Sequence, residues 1–504
     1  MHSYAVLAAV VAPLVLAAPA PFPNPVAAPA PAPIPAPIPQ GVEINPITGL
    51  LGSLIEGTLT LGSLSSAVPA VISDLGNLLD AAGAVTQAIE NGTLLGTDTP
   101  AVVQKLFQAV QPTSTPTSVQ DAMNKAAAAF GVSSASQTPA PEQDILANVL
   151  TLVLDGFTSS DIQAVAAGTS PFTNSYNNVN RPVPLLKIFY NTVIGNAPFN
   201  VPEAQLRAAM YIPSTFTWGK KQPVLMSPGT GATGGINFET NIGKLLAQES
   251  FADPVYLNIP QELLSDAQVN AEYVSYALQY LYALTSKKPA IVTWSQGSLD
   301  AQWAFKYWPS VPKIVTDHIA ISPDYHGTVL AYILCPGFAA GDSIACVPSV
   351  IQQDYNSNFV TKLRSNGGDS AYVPTTTVYS LTDEIVQPQE GTAASGYLND
   401  ARNVGVSNTF LQGACLAEPA GGLYTHEGVL YNPVAYALVV DALQNSGPGS
   451  FSRVEGQCGA LVAPGLSLSD VIATEALTPL AVLNIFSYLP KVFVEPAIMS
   501  YATY

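Results

Sequence analysis

Charge is scarce in this chain. Asp, Glu, Lys and Arg make up 10% of its 504 residues, where an ordinary soluble protein carries about a quarter. The charge present leans acidic, 35 Asp and Glu against 17 Lys and Arg, for a net charge of -18. No basic cluster occurs, which argues against nucleic acid as a partner and against an anionic membrane as a docking surface. Cysteine is sparse, with four residues and neither a CxxC pair nor a Cys/His cluster, so no zinc site is indicated. The GxxxxGK[ST] pattern is missing, which removes the common phosphate loop. No metal or organic cofactor is implied, no internal repeat is visible, and nothing sets an oligomeric state.

Long hydrophobic runs are also lacking. Ala5–Ala18 is uncharged and mostly apolar, but too short to span a bilayer and broken by Pro13. Ala476–Leu489 is interrupted by Pro479 and Asn484 and reads as a packed or interfacial helix. No transmembrane segment is expected.

Hydrophobic residues nonetheless make up 48% of the chain, enough for a large core. Residues 1–18 read as a signal peptide, although the stretch before the apolar run holds His2 and no Lys or Arg. Residues 19–40, PAPFPNPVAAPAPAPIPAPIPQ, are a Pro/Ala-rich low-complexity segment, extended and solvated. Residues 41–180 read as a helical N-terminal region, a prodomain, cap or accessory unit. There Val71, Leu75, Leu78, Ala82, Val85 and Ile89 recur at helical spacing up to Asn91-Gly92. Ile145, Val149, Leu152 and Val153 repeat the pattern up to Gly156, and the loop QPTSTPTS (111–118) lies between the two. Asn91-Gly92-Thr93 is a glycosylation sequon.

From residue 181 the pattern changes. Pro223–Ser227, Pro254–Ile259, Ala290–Trp294, His318–Ser322 and Thr375–Leu381 are strand-like, with helical stretches such as Ala267–Leu284 and Leu299–Trp308 between them. This alternation predicts an α/β fold with a mostly parallel sheet over residues 181–504. For an exported chain, the even cysteine count predicts two disulfides. Three pairings are possible; proximity favours Cys335–Cys346 and Cys415–Cys458, and free buried thiols are the alternative.

Histidine narrows the chemistry. Only His318, His326 and His426 follow the signal peptide. His318 sits inside a strand-like run and reads as structural. His326 falls in a loop near the expected active face, without a role. His426 occupies a loop before an apolar helix, where a general base belongs. Ala290–Trp294, then Ser295-Gln296-Gly297-Ser298, then a helix carrying Leu299, Trp303 and Tyr307 on one face is a strand–serine turn–helix arrangement. Such a turn raises the serine hydroxyl above the sheet. It also offers the Gln296 amide to a developing oxyanion. Thr293 stands where the usual G-x-S-x-G pattern has its first glycine. Asp383 follows Thr375–Leu381 and is the expected acid, with Glu384 as the alternative. The order Ser295, Asp383, His426 is that of α/β-hydrolases. The loop SPGTGATG (227–234), with Thr230, is placed to give the second oxyanion donor.

The segments SPGTGATG (227–234), VTWSQGSLDAQW (292–303), SPDYHGTVL (322–330), VPSVIQQ (347–353), VPTTTVYSLTDEIVQPQ (373–389) and EPAIMSYA (495–502) resemble the Candida antarctica lipase B-like family of fungal lipases. The resemblance runs through residues 181–504. It implies an α/β-hydrolase fold and cleavage of esters and triacylglycerols at a lipid–water interface by a secreted enzyme. It implies Ser295 as nucleophile, Asp383 as acid, His426 as base, and oxyanion donors on Thr230 and Gln296. It puts Trp294 in the alcohol-side pocket, Asp324 and Gln353 in its polar wall, and Cys415–Cys458 around the His426 loop. Cys335 and Cys346 are additions, in the segment that family uses as a small mobile lid. Asp300 replaces an apolar residue. Glu427 replaces a small one, which predicts a more acidic pocket mouth. On the same scaffold, a short-chain or polyester esterase, an acyltransferase and a non-catalytic secreted binding protein are the alternatives.

Overall fold

Among the described residues, seven short strands rich in β-branched and aromatic residues form one sheet: β1 Met210–Tyr211, β2 Gln222–Ser227, β3 Ala252–Leu257, β4 Ala290–Trp294, β5 His318–Ile321, β6 Thr375–Tyr379 and β7 Val406–Phe410. Their spatial order is β1-β3-β2-β4-β5-β6-β7. Only the β1–β3 pair is antiparallel. The computed structural model describes residues 75–90, 99–140, 144–159, 162, 172–183, 195–331, 335 and 345–503. The expected signal peptide (1–18), the Pro/Ala-rich segment (19–40), Val71 and the Asn91-Gly92-Thr93 sequon lie outside the described residues.

Strands β3 to β6 are buried along their whole length, as a parallel sheet covered on both faces requires. Alternate residues separate into two cores. Val224, Met226, Val292 and Ile319 face one. Leu225, Val255 and Ile291 face the other, with the helices Ala267–Thr285 and Gln296–Tyr307. The first core also takes in Leu78, Val85, Leu106, Leu146 and Leu150 from the N-terminal helices Leu75–Glu90, Thr99–Ala109 and Ile145–Leu154, together with Leu480 and Leu483 near the C-terminus. The N-terminal helices therefore bury their apolar stripes against the body of the molecule. Helices Thr99–Ala109 and Ile145–Leu154 pack on the helix Leu477–Ser487.

Leu468–Ser487 is the one stretch among the described residues long and apolar enough to cross a membrane, and 72% of it is buried inside the protein. The expectation of a packed element at Ala476–Leu489 agrees with that burial. The cysteines pair as Cys335–Cys346 and Cys415–Cys458, with Cα–Cα distances of 5.6 and 5.3 Å.

Differences from the sequence reading have local causes. The run Thr375–Leu381 leaves the sheet at Tyr379. Ser380 and Thr382 bond to each other, and Asp383 turns the chain by accepting the Ile385 and Val386 amides. Asp383 thus stands beyond the strand end, on a turn. His318–Ser322 ends at Ile321, because Ser322 adopts φ 44°. Strand β7, VSNTF, escaped notice because it is a half-buried edge strand that buries only Thr409. The sheet register brings Ser227, Trp294, Ile321 and Val378 to one edge. The loops that leave that carboxyl edge build the site, the usual place for one in an open α/β sheet.

Candidate active site

Ser295 is held by backbone shape. It has φ 52° and ψ -131°, a region that costs a non-glycine residue on the order of 1–3 kcal/mol. The neighbouring chain leaves no slack. A Cβ on Gly297 would lie 2.5 Å from the Pro228 carbonyl oxygen, and one on Gly229 would lie 2.8 Å from Ser295 Cβ. Thr293 replaces the usual first glycine by filling its space with a buried polar trio. Its Oγ1 lies 2.7 Å from Ser298 Oγ and 3.0 Å from His318 Nε2. His318 is fully buried, and burial pushes its pKa down to about 3. It is a neutral structural imidazole, as its strand position predicts.

His426 is held by side chains from several loops. Its Nδ1 lies 2.7 Å from Asp383 Oδ2. Its backbone N–H donates to Glu384 Oε2 at 2.9 Å. Its carbonyl accepts from Trp294 Nε1 at 3.1 Å and Ser322 Oγ at 2.7 Å, and its ring packs 4.9 Å from the Trp294 ring. Burial alone would depress the imidazole pKa. Asp383, by charge and hydrogen bond, and then Glu384 and Asp324 raise it above its ordinary value. Glu384, the alternative acid, thus bonds the His426 backbone and leaves Nδ1 to Asp383. Burial and the Asp383 charge push the Glu384 carboxyl up to about 8.

Ser295, His426, Thr230, Trp294 and Gln353 line one cavity of about 500 Å³ of unfilled space, counted out to solvent. The rest of its wall is largely apolar, with Val350, Ile385, Val386, Ala481, Val482 and Ile485. Thr230 Oγ1 lies 2.8 Å from Gln296 Oε1, and Gln353 Nε2 donates to the same oxygen at 3.0 Å. Gln296 is the first residue of its helix, so its amide is free of the intrahelical ladder and carries the helix's positive end.

Two expectations need correction. Asp324 is not a lining residue. It is wholly buried behind the cavity wall, where burial pushes its carboxyl up to about 7 and its field reaches His426. Glu427 does not acidify the pocket mouth. It is wholly buried, and its Oε2 accepts from Thr478 Oγ1 at 2.8 Å. His326 is buried and lines no part of this cavity. The residues around the expected lid, 332–334 and 336–344, lie outside the described residues. The supports missed by sequence reading are Ser322 and Glu384 on the His426 backbone. They stand 104 and 42 positions from it, and no local pattern marks such a bond.

A mostly parallel sheet with a strained serine at the strand–helix turn defines the α/β-hydrolase fold. The solved structure of Aspergillus fumigatus lipase B matches this chain at 39% identity and TM-score 0.72, over 90% of this chain and 99% of that one. Lipase B of Pseudozyma antarctica is 36% identical over 312 residues, 60% of this chain and 86% of its own length. The chain is a serine ester hydrolase, and it belongs to the lipase B family. The match to the Aspergillus structure reaches into residues 1–180, because they exceed the tenth of the chain it leaves out. No family model matches the sequence.

Proposed function

We propose that this is a secreted triacylglycerol lipase working through an acyl-enzyme on Ser295. His426 takes the Ser295 proton as the hydroxyl attacks the ester carbonyl. Asp383 holds the imidazole tautomer and stabilises the imidazolium. The developing oxyanion takes hydrogen bonds from Gln296 and Thr230; losing one such donor costs about 10²–10³ in rate. His426 then gives its proton to the leaving alcohol, and water repeats the sequence on the acyl-enzyme. The observation that carries this reading is the 2.7 Å contact of His426 Nδ1 with Asp383 Oδ2, with His426 lining the same cavity as the strained Ser295. The apolar wall favours an acyl chain over a charged substrate. The paired cysteines favour an oxidising, extracellular setting.

We read the N-terminal helices as an accessory buttress. Two of them, Thr99–Ala109 and Ile145–Leu154, pack on the helix Leu477–Ser487, whose Thr478, Ala481, Val482 and Ile485 line the cavity. On this reading residues 181–504 carry the chemistry, and the N-terminal region shapes one wall of the pocket from behind.

The test is fluorophosphonate labelling with peptide mapping, followed by rates on p-nitrophenyl esters of increasing chain length and on emulsified triglyceride. The adduct is expected on Ser295. Ser295→Ala should lose about 10⁴-fold or more in kcat. Full activity in that variant would end the assignment, and a preference for the shortest esters would turn the reading to a short-chain esterase.

A further inference from the structure

Beneath the His426 loop lies a group of buried carboxyls that the acyl-transfer steps do not use. Glu475 ends the helix Leu468–Glu475, and Glu427 follows His426 in sequence. Both are wholly buried, and neither belongs to an ion pair among the described residues. Glu475 accepts from Thr425 Oγ1 at 3.0 and 2.9 Å and from Tyr431 OH at 2.6 Å. Thr425 Oγ1 also accepts the Gly428 amide at 2.9 Å. The loop is thus bonded to Glu475 on both sides of His426. Gly428 permits this closure: a Cβ there would lie 2.7 Å from Thr425 Oγ1 and 3.3 Å from Glu475 Oε1. Glu427 reaches the next helix through Thr478 Oγ1, at 2.8 Å, and Thr478 lines the cavity.

The Glu475 charge reaches Glu427, whose own partner Thr478 follows closely after Glu475 in the chain. Two carboxylates have no proton to share, so one of them must keep its own. Glu427 Oε1 has no hydrogen-bond partner, whereas Oε2 accepts from Thr478 and both Glu475 oxygens accept from Thr425, so Glu427 Oε1 is the oxygen left to carry a proton.

We propose that Glu427 and Glu475 form a carboxyl–carboxylate pair that positions the His426 loop against the pocket-wall helix Leu477–Ser487. The assignment rests on His426 acting as the base. Glu427 and Glu475 touch neither substrate nor the reacting atoms; they act through the backbone on either side of His426. A second negative charge in this space would repel the first and also face Glu384, whose field reaches Glu427, and behind it Asp383 and His426. Tyr431, Thr425 and Thr478 are the other groups in contact. Losing the shared proton therefore loosens the loop.

The pair has a pH signature. Burial first, then Glu384 and Glu475, raise the Glu427 carboxyl well above its ordinary value, and burial pushes Glu475 up to about 7. A carboxyl whose folded pKa is raised binds its proton more tightly in the folded state. Its stabilisation is complete below the unfolded value near 4.5 and is lost as pH climbs through 7 and beyond.

Glu427→Gln tests this, because the amide keeps a donor for Glu475 and an acceptor for Thr478 but has no proton to lose. The alkaline fall of kcat should move up by about one pH unit or more, with KM little changed. The decline of melting temperature between pH 5 and 9 should become shallower. Should Glu427→Gln fail to fold, Glu475→Gln is read in the same way. Profiles superimposable on the unaltered enzyme in both measurements overturn the pair. So does the absence of any protonated-carboxyl stretch in the infrared spectrum of the unaltered protein at pH 7, which needs no variant. Melting and infrared readouts stand whether or not Ser295 labels, so failure of the pair and failure of the acyl-transfer reading are told apart.

Discussion

The two halves of the proposed catalytic centre are held by different forces. Ser295 sits on a turn fixed by backbone crowding: a left-handed φ of 52° and two glycines whose absent side chains let Pro228 and Trp294 close in. His426 sits on a loop fixed by side chains from distant positions, among them Asp383, Glu384, Trp294, Ser322 and, through Thr425, Glu475. Steric fixation is indifferent to pH. Fixation by buried carboxyls is not, and four of the carboxyls near His426 have pKa values raised into or beyond the neutral range. The nucleophile is thereby the constant of the site, and the base is its adjustable part.

The largest effect expected from breaking this contrast lies on the base side. Asp383→Asn keeps the shape but offers an amide where His426 Nδ1 needs an acceptor, which favours the wrong tautomer. A loss of about 10⁴-fold in kcat is expected, measured with the melting temperature to show that the fold persists. A loss below tenfold would mean that Glu384 takes over the acid's place, and the side-chain account of His426 would fail. On the serine side, Gly297→Ala puts a methyl 2.5 Å from the Pro228 carbonyl. That atom is backbone, on the loop leading to Thr230, and it has to move. A displacement near 1 Å costs about 10²-fold, so kcat should fall by that order at every pH while the shape of the pH profile stays. A changed profile with an unchanged rate would put the pH sensitivity in the elbow instead.

The same contrast decides what was legible in the sequence. The elbow is local: a strand, a serine turn and a helix occupy Ala290–Tyr307 without a gap, so periodicity and turn chemistry place it. Five of the seven strands were legible for the same reason, as apolar runs that end at turns. The two that were not, β1 and β7, lie at the sheet's edges, where burial is partial and the apolar signal fades. His426 was legible from the scarcity of histidine, its loop before an apolar helix, the chain order and the family resemblance, not from a motif of its own. Its supports were not, since bonds to Ser322 and Glu475 cross 104 positions from His426 and 50 from Thr425. Glu427 was misplaced for this reason. A glutamate in a loop reads as solvated until Thr478, on a helix far along the chain, is seen to bind it. The placement of residues 75–157 was likewise illegible. Amphipathic spacing predicts the helices Leu75–Glu90 and Ile145–Leu154, but nothing in the sequence marks Leu477–Ser487 as the helix that Ile145–Leu154 packs on.

The smallest expected effect is the sharpest test of the contrast. Thr293 occupies the position where this turn usually has glycine, and its hydroxyl bonds Ser298 and His318. If crowding at Gly229 and Gly297 fixes Ser295, the Thr293 hydroxyl serves stability and not geometry. Thr293→Val keeps the volume and removes the bond, leaving the Ser298 hydroxyl and His318 Nε2 buried without this partner. That costs about 1–3 kcal/mol, to be read as a lower midpoint in urea with an unchanged slope. At a temperature where the variant is fully folded, kcat/KM should stay within about threefold of the unaltered enzyme, because an intact backbone turn retains the transition-state contacts. A hundredfold loss in the folded variant would show that the polar trio under β4 positions the serine, and both halves of the site would then depend on side-chain bonds.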